Sequence, residues 1–129
     1  AAFNGHSGLL TIARNDRDLT LTQSNTVVNL TDRDKAVTSV DEDIIETVTL
    51  KAKTVSLRID ADFTPGKDIA TFYYKVGNGE WHKIGKPYKM RFDYRRLFMG
   101  TRYAIFNYAT KQSGGYVDID SFNYHLLRK

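Results

Sequence analysis

The chain contains no cysteine among its 129 residues. Disulfides, cysteine-ligated zinc sites and thiol nucleophiles are therefore excluded. No apolar run approaches the ~20 residues that a membrane-spanning helix needs, and no signal peptide is visible. Because the chain begins at Ala1 and not at Met, earlier removal of a leader or of a larger parent protein stays open. The length predicts one domain with a two-layer core.

Aromatic residues and positive charge are both scarce in the first half of the chain. Among the 16 aromatic residues, only Phe3 precedes Phe63. Residues 1–65 carry 7 Lys and Arg against 10 Asp and Glu, whereas residues 66–129 carry 12 against 5. The second half therefore combines a net positive charge with nearly all the large flat side chains from which a core or a ligand site can be built.

A period of two residues, typical of strands, runs through almost the whole chain, and no segment predicts more than one turn of helix. In residues 55–63 apolar and polar residues alternate strictly, so one face is expected in the core and the other in water. Gly77-Asn78-Gly79 predicts a hairpin, because Asn and Gly adopt positive φ at little cost. These patterns predict an all-β fold, an antiparallel β-sandwich. About ten short strands are expected, at residues 10–13, 19–22, 26–30, 45–50, 55–63, 71–76, 81–85, 88–92, 102–109 and 116–124.

Five segments carry a resemblance to a known family: ATFYYKVGNGEW (70–81), IG (84–85), FMGTRY (98–103), FNYATK (106–111) and GGYVDIDSF (114–122). Together, and in this order, they resemble the C-terminal β-sandwich domain found behind the catalytic propeller of family 43 glycoside hydrolases. Those enzymes include β-xylosidases and α-arabinofuranosidases. The resemblance covers residues 50–124 well and is thinner before residue 40.

The resemblance implies a concanavalin-like jelly roll with no catalytic residues of its own. Such a domain is expected to be a carbohydrate-binding module for xylan or arabinoxylan, or an accessory domain that docks on a glycosidase and completes its active site. Residues 1–129 are expected to form one β-sandwich module, complete or lacking N-terminal strands of a larger domain. A module of this kind is expected to be secreted or to lie at a bacterial cell surface.

A pyranose has an apolar face ringed by hydroxyls, so its site needs an aromatic plane and planar polar side chains. The alternation in residues 71–76 assigns Phe72 and Tyr74 to the core and leaves Tyr73 facing outward. Trp81 follows the predicted hairpin turn, where its indole is expected either to stack on a sugar or to pack in the core. Tyr73 is the stronger candidate of the two.

A second candidate surface is predicted on the strand at 102–109, where Arg102, Phe106 and Tyr108 share one face. A guanidinium beside two rings would suit a glycan. The alternative is that both faces of this strand are buried, with Arg102 paired to an aspartate. The sequence leaves both interpretations open.

Asp118 and Asp120 lie two positions apart on a predicted strand, so their side chains point the same way, about 6–7 Å apart. Catalysis is disfavoured, because glycosidase carboxylates flank a bond from opposite sides. An ion pair with Arg102 or Arg58, hydrogen bonding to a sugar and a calcium site stay open. Calcium prefers 6 to 8 oxygen ligands and only two are grouped here, so no cofactor is predicted and a structural Ca²⁺ is the minor alternative.

The apolar tip of the 94–100 loop, Leu97, Phe98 and Met99, is predicted to dock against another domain or to plug one end of the sandwich. The three histidines have no metal-binding spacing. A competing function is single-stranded nucleic-acid binding, because the second half is basic and rich in aromatic residues. The scattered cations and the absence of an RNA-binding signature favour polysaccharide.

Overall fold

The computed structural model describes residues 5–33, 36–90 and 102–127. Within these ranges six strands form two antiparallel three-stranded sheets, and there is no helix. No helix able to span a membrane occurs among them either. The predicted all-β antiparallel architecture is confirmed. Sheet A has the order β1 (His6–Asn15), β2 (Asp18–Leu30) and β3 (Val37–Leu50), and sheet B the order β4 (Val55–Asp62), β5 (Ile69–Val76) and β6 (His82–Lys89).

The expectation of about ten short strands is wrong for the described residues. The predicted breaks at residues 23–25 and 86–87 lie inside β2 and β6, and the predicted strands at 102–109 and 116–124 do not form. In β2 the polar run from Gln23 to Asn25 continues the strand between the predicted segments 19–22 and 26–30. The buried Gln23 amide donates to Asn25 Oδ1 at 3.0 Å and to the Ser24 carbonyl at 3.2 Å. A polar residue whose hydrogen bonds are satisfied does not interrupt a strand.

The two sheets pack face to face over a small apolar core. Leu21 of sheet A and Phe72 and Ile84 of sheet B are almost fully buried. Gly8 permits the close approach, because a Cβ at this position would lie 2.8 Å from Phe72 Cζ and 2.9 Å from Tyr88 Cγ. The buried apolar residues are Leu21, Leu50, Ala70, Phe72, Ile84, Tyr88 and Met90.

A bulge in β6 makes the polar contact between the sheets. Tyr88 pairs with Ala70 and Ile84 with Phe72, so residues 85–87 oppose Thr71 alone. The bulge frees two backbone amides, and both find acceptors on sheet A. The Gly85 amide donates to Glu46 Oε2 at 2.6 Å, and the Lys86 amide donates to Gln23 Oε1 at 3.3 Å. Sheet A thus satisfies donors that sheet B leaves unpaired.

We predict that Gly85→Ala lowers the free energy of unfolding by about 2–4 kcal/mol, the sum of backbone strain and overpacking. Gly85 has φ +70°, and a Cβ there would lie 2.1 Å from Oε1 of the buried Gln23. Gly66→Ala is the matched control, because Gly66 has φ +86° but nothing within 4 Å of its Cβ position. Urea denaturation measures both losses, and equal losses would contradict the clash with Gln23.

Residues 102–127 belong to neither sheet, so the predicted strands at 102–109 and 116–124 are wrong. All of these residues are exposed, and none forms a ladder with another described strand. Alternation shows which side chains would share a face, but a strand also needs a neighbouring backbone to pair with. Gly114 and Gly115 have φ of 134° and 82°, a backbone conformation that favours glycine. The segment doubles back, because the rings of Tyr103 and Tyr124 lie 6.2 Å apart.

Candidate functional site

The outer face of sheet B carries a group of aromatic and charged side chains. The strand register pairs Arg58 with Tyr73, and Tyr73 with Lys83. Residues directly opposite one another in antiparallel strands share a face. Because Ile59 and Phe72 face the core, these neighbours face outward, as predicted for Tyr73. The polar face predicted for residues 55–63 is therefore the side of the sheet on which Tyr73 lies.

Arg58 is held by a bidentate ion pair with Asp60. Its Nε donates to Oδ1 at 2.7 Å and its Nη2 to Oδ2 at 2.6 Å. These hydrogen bonds raise the pKa of Arg58 above its ordinary value, against a smaller lowering by burial. Arg58 and Asp60 are two positions apart on β4, so both side chains lie on the same face and the long arginine side chain reaches the carboxylate.

The sequence offered Arg58 or Arg102 as ion-pair partner for Asp118 or Asp120, and neither pairing is found. In the described part of the chain Arg58 binds Asp60, and no ion pair involves Asp118, Asp120 or Arg102. The physical reason is that residues 102–127 do not pair with β4, so their carboxylates are not cross-strand neighbours of Arg58.

The Arg58 guanidinium lies within about 6 Å of two ring centroids. Its Cζ is 5.2 Å from the centroid of Tyr73 and 5.8 Å from that of Trp81, and Lys75 Nζ is 5.1 Å from the Trp81 centroid. These distances fall within the range of cation–π attraction. Trp81 is 40% exposed, which places its indole at the surface and not in the core. We call the following residues the aromatic-cationic surface: Arg58, Asp60, Tyr73, Lys75, Trp81 and Lys83.

The aromatic-cationic surface offers two kinds of contact to a ligand. The rings of Tyr73 and Trp81 provide apolar area for stacking. The Arg58–Asp60 pair provides further guanidinium donors and carboxylate acceptors. Their positions are fixed, because two hydrogen bonds hold the two side chains together. The arrangement suits a flat ligand with an apolar face and a polar rim.

The second predicted group does not assemble on a sheet. Phe106 and Tyr108 stack at 5.9 Å with 23° between their planes, but they are 60% and 64% exposed. Burial of both faces of this segment, the alternative expectation, is therefore wrong. Arg102, Asp118 and Asp120 are exposed as well. Their predicted contact with a sugar stays a prediction.

The pKa of Tyr103 in this segment is raised above its ordinary value by burial, and Tyr124 and Asp60 add to the rise. Arg58, Asp60, Lys75 and Lys83 were not predicted as ligand-binding residues. Thr64-Pro65-Gly66 is the sequence signal that could have placed Arg58, because Pro and Gly favour a turn here and the turn between β4 and β5 sets Arg58 opposite Tyr73.

The predicted docking residues Leu97, Phe98 and Met99 lie outside the described residues. Within the described ranges no group of three or more His, Asp or Glu side chains is arranged to hold a metal ion.

Comparison with known proteins provides the family. The model of the beta xylosidase C-terminal concanavalin A-like domain matches residues 2–125. The chain belongs to this family. No curated protein and no solved structure matches it. The resemblance expected from the five sequence segments is thereby confirmed. The match begins at residue 2, so sheet A is part of this beta xylosidase C-terminal domain even though its sequence resemblance was thin.

We predict that iodide quenches the fluorescence of Trp81 more strongly than caesium does. Trp81 is the single tryptophan of the chain, so its emission reports on this surface alone. Arg58 and Lys75 attract anions to the indole and repel cations. Lys75→Gln should lower the ratio of iodide to caesium quenching, whereas Lys89→Gln, on the same sheet near Asp68, should not. Equal quenching by both ions in the unmodified chain would contradict this electrostatic description.

Proposed function

We propose that this chain is a non-catalytic carbohydrate-binding module that recognises xylan-type plant cell-wall polysaccharide through the aromatic-cationic surface. The observation that carries the proposal is the exposed Trp81 beside outward-facing Tyr73, with the Arg58–Asp60 pair at both rings. Membership of the beta xylosidase C-terminal family supports a role alongside polysaccharide hydrolysis. We further propose that the module is secreted or lies at a bacterial cell surface, where such polysaccharides are encountered.

The chemistry of the surface fits a pyranose. The C–H face of the sugar stacks on an aromatic ring. A pair of stacked aromatic rings gains about 0.5–1.5 kcal/mol beyond the free energy of area burial, and we expect a sugar on a ring to gain a similar free energy. Vicinal hydroxyls then meet the donors of Arg58 and the acceptors of Asp60. Because Arg58 is already fixed by Asp60, little side-chain entropy is lost when the sugar binds.

A non-catalytic role is supported by the placement of the carboxylates. Glycosidases use two carboxyl groups that flank the scissile bond. Asp60 is the one carboxylate in the aromatic-cationic surface, and it is engaged with Arg58. Asp118 and Asp120 lie two positions apart on one exposed segment, so they do not face each other across a scissile bond.

Affinity electrophoresis of the chain on xylan, arabinoxylan, cellulose, mannan and xyloglucan tests the proposal. We expect retardation on xylan and arabinoxylan, and a loss of affinity of about tenfold or more for Trp81→Ala and for Tyr73→Ala, since removing a stacking ring costs on the order of 1.4 kcal/mol. Phe63→Ala is the control, because Phe63 is 54% exposed but lies outside the surface. Thermal melting establishes that each variant is folded.

Two outcomes would contradict the proposal in different ways. No retardation on any polysaccharide would exclude a binding module. Loss of binding in Phe106→Ala and Tyr108→Ala, with Trp81→Ala unaffected, would move the site to residues 102–127, the second surface predicted from the sequence.

A second candidate function rests on a separate observation, the exposed apolar side chains of residues 102–127. Apolar side chains grouped at a surface mark sites of interaction with other proteins. The family name assigns such domains to beta xylosidases, so the partner proposed is a glycosidase catalytic domain whose active site the chain helps to complete. Leu97, Phe98 and Met99 remain predicted members of this docking surface. The exposed apolar residues are Ile105, Phe106, Val117, Ile119, Phe122, Leu126 and Leu127, at 57–83% exposure.

For this second candidate we predict that the chain co-elutes with a beta xylosidase catalytic domain in size-exclusion chromatography. Ile119→Asp and Phe122→Asp should each weaken the complex at least tenfold, because a charge would be buried in an apolar contact. Trp81→Ala is the control and should leave the complex intact. A complex that is indifferent to both Asp substitutions would contradict docking through residues 102–127.

A further inference from the structure

We propose that the aromatic-cationic surface prefers polysaccharide whose sugar units carry carboxylates, such as uronic-acid-substituted xylan, over the neutral chain. This inference rests on the proposed function and specifies the class of ligand. It follows from the distribution of paired and unpaired cations on sheet B and the turn beside it.

Several cations of this region already have carboxylate partners. Arg58 binds Asp60 at 2.6 Å, Lys67 lies 3.4 Å from Asp62, and Lys89 lies 4.0 Å from Asp68. These pairs leave little net charge of their own. Their contribution to attraction of an anionic ligand is therefore small.

Lys75 and Lys83 differ from these residues. Neither has a carboxylate partner within the part of the chain that the structure describes. Lys75 Nζ lies against the Trp81 ring, and Lys83 is the cross-strand neighbour of Tyr73. Each candidate stacking ring thus has one uncompensated ammonium group beside it.

The position of Lys75 makes a neutral sugar the poorer ligand. Its ammonium group lies 5.1 Å from the Trp81 centroid, on the ring that the sugar would use. A neutral pyranose stacked on that side displaces the ammonium from the ring and loses the cation–π attraction. A sugar that carries a carboxylate gives the same ammonium a charge-assisted hydrogen bond in exchange.

Nucleic acid is the other anionic polymer with stackable rings, and two features favour the polysaccharide. Non-specific binding to nucleic acid uses many phosphate contacts along a groove, whereas in the described part of the chain two unpaired cations, Lys75 and Lys83, lie beside the rings. The chain also belongs to a family of beta xylosidase domains.

The test compares two forms of one polymer by isothermal titration calorimetry with the 129-residue chain. The probes are glucuronoxylan and the same glucuronoxylan after reduction of its carboxyl groups to primary alcohols. We expect the carboxylated form to bind about 5- to 20-fold more tightly, the range of one charge-assisted contact. Raising the salt concentration should narrow this difference, because exposed charges are screened.

Variants of the two lysines locate the effect. Lys75→Gln and Lys83→Gln should each reduce the preference for the carboxylated polymer. Lys89→Gln is the matched control, because Lys89 lies on the same sheet but has Asp68 and the carbonyls of Gly66 and Lys67 as partners. Its preference should equal that of the unmodified chain.

The other outcomes separate the carboxylate preference from the proposal that the chain is a carbohydrate-binding module. Equal binding of the two polymers would overturn the carboxylate preference and leave the binding module intact. Binding to neither polymer would overturn both proposals. Tighter binding to oligothymidylate than to glucuronoxylan, with a steep loss of affinity as salt rises, would overturn them in favour of nucleic acid.

Discussion

The contact between the two sheets at Gly8 and at the β6 bulge determines which face of sheet B is buried. Gly8 has no side chain to separate Phe72 and Tyr88 from sheet A. Beside it, Gln23 and Glu46 of sheet A accept hydrogen bonds from the bulged backbone of β6. An amide that loses water without gaining a partner costs free energy, so these two hydrogen bonds favour the way the sheets face each other. With the inner face defined, the outer face of sheet B is defined as well.

The candidate site forms on the outer face of sheet B, because the inner face is buried against sheet A. Because alternate residues of β4 and β5 fill the core, Arg58 and Tyr73 are left on the outside as cross-strand neighbours. Asp60 then fixes Arg58, and the turn after β5 brings Trp81 close to the same guanidinium. The result is a set of rings and charges that is ordered before any ligand arrives, which lowers the entropic cost of binding.

Local patterns were sufficient for several features. The alternation in residues 71–76 predicted that Tyr73 faces outward, and the Gly77-Asn78-Gly79 turn predicted the hairpin of β5 and β6. They failed where a neighbour decides the outcome. The polar residues after Leu21 do not end β2, because hydrogen bonds within the sandwich satisfy Gln23. Residues 102–109 alternate well and yet form no strand, because no described strand pairs with them.

The alternation of residues and the five family-like segments were enough to predict the all-β class, the outward position of Tyr73 and the family, because these are properties of residues close together along the chain. The packing in three dimensions was needed to show that Arg58 pairs with Asp60 and not with Asp118 or Asp120, that Trp81 is exposed, and that Lys75 lies on its ring. These contacts join different strands or compete for one guanidinium. Their outcome depends on sheet register and on distances through space, which no local pattern contains.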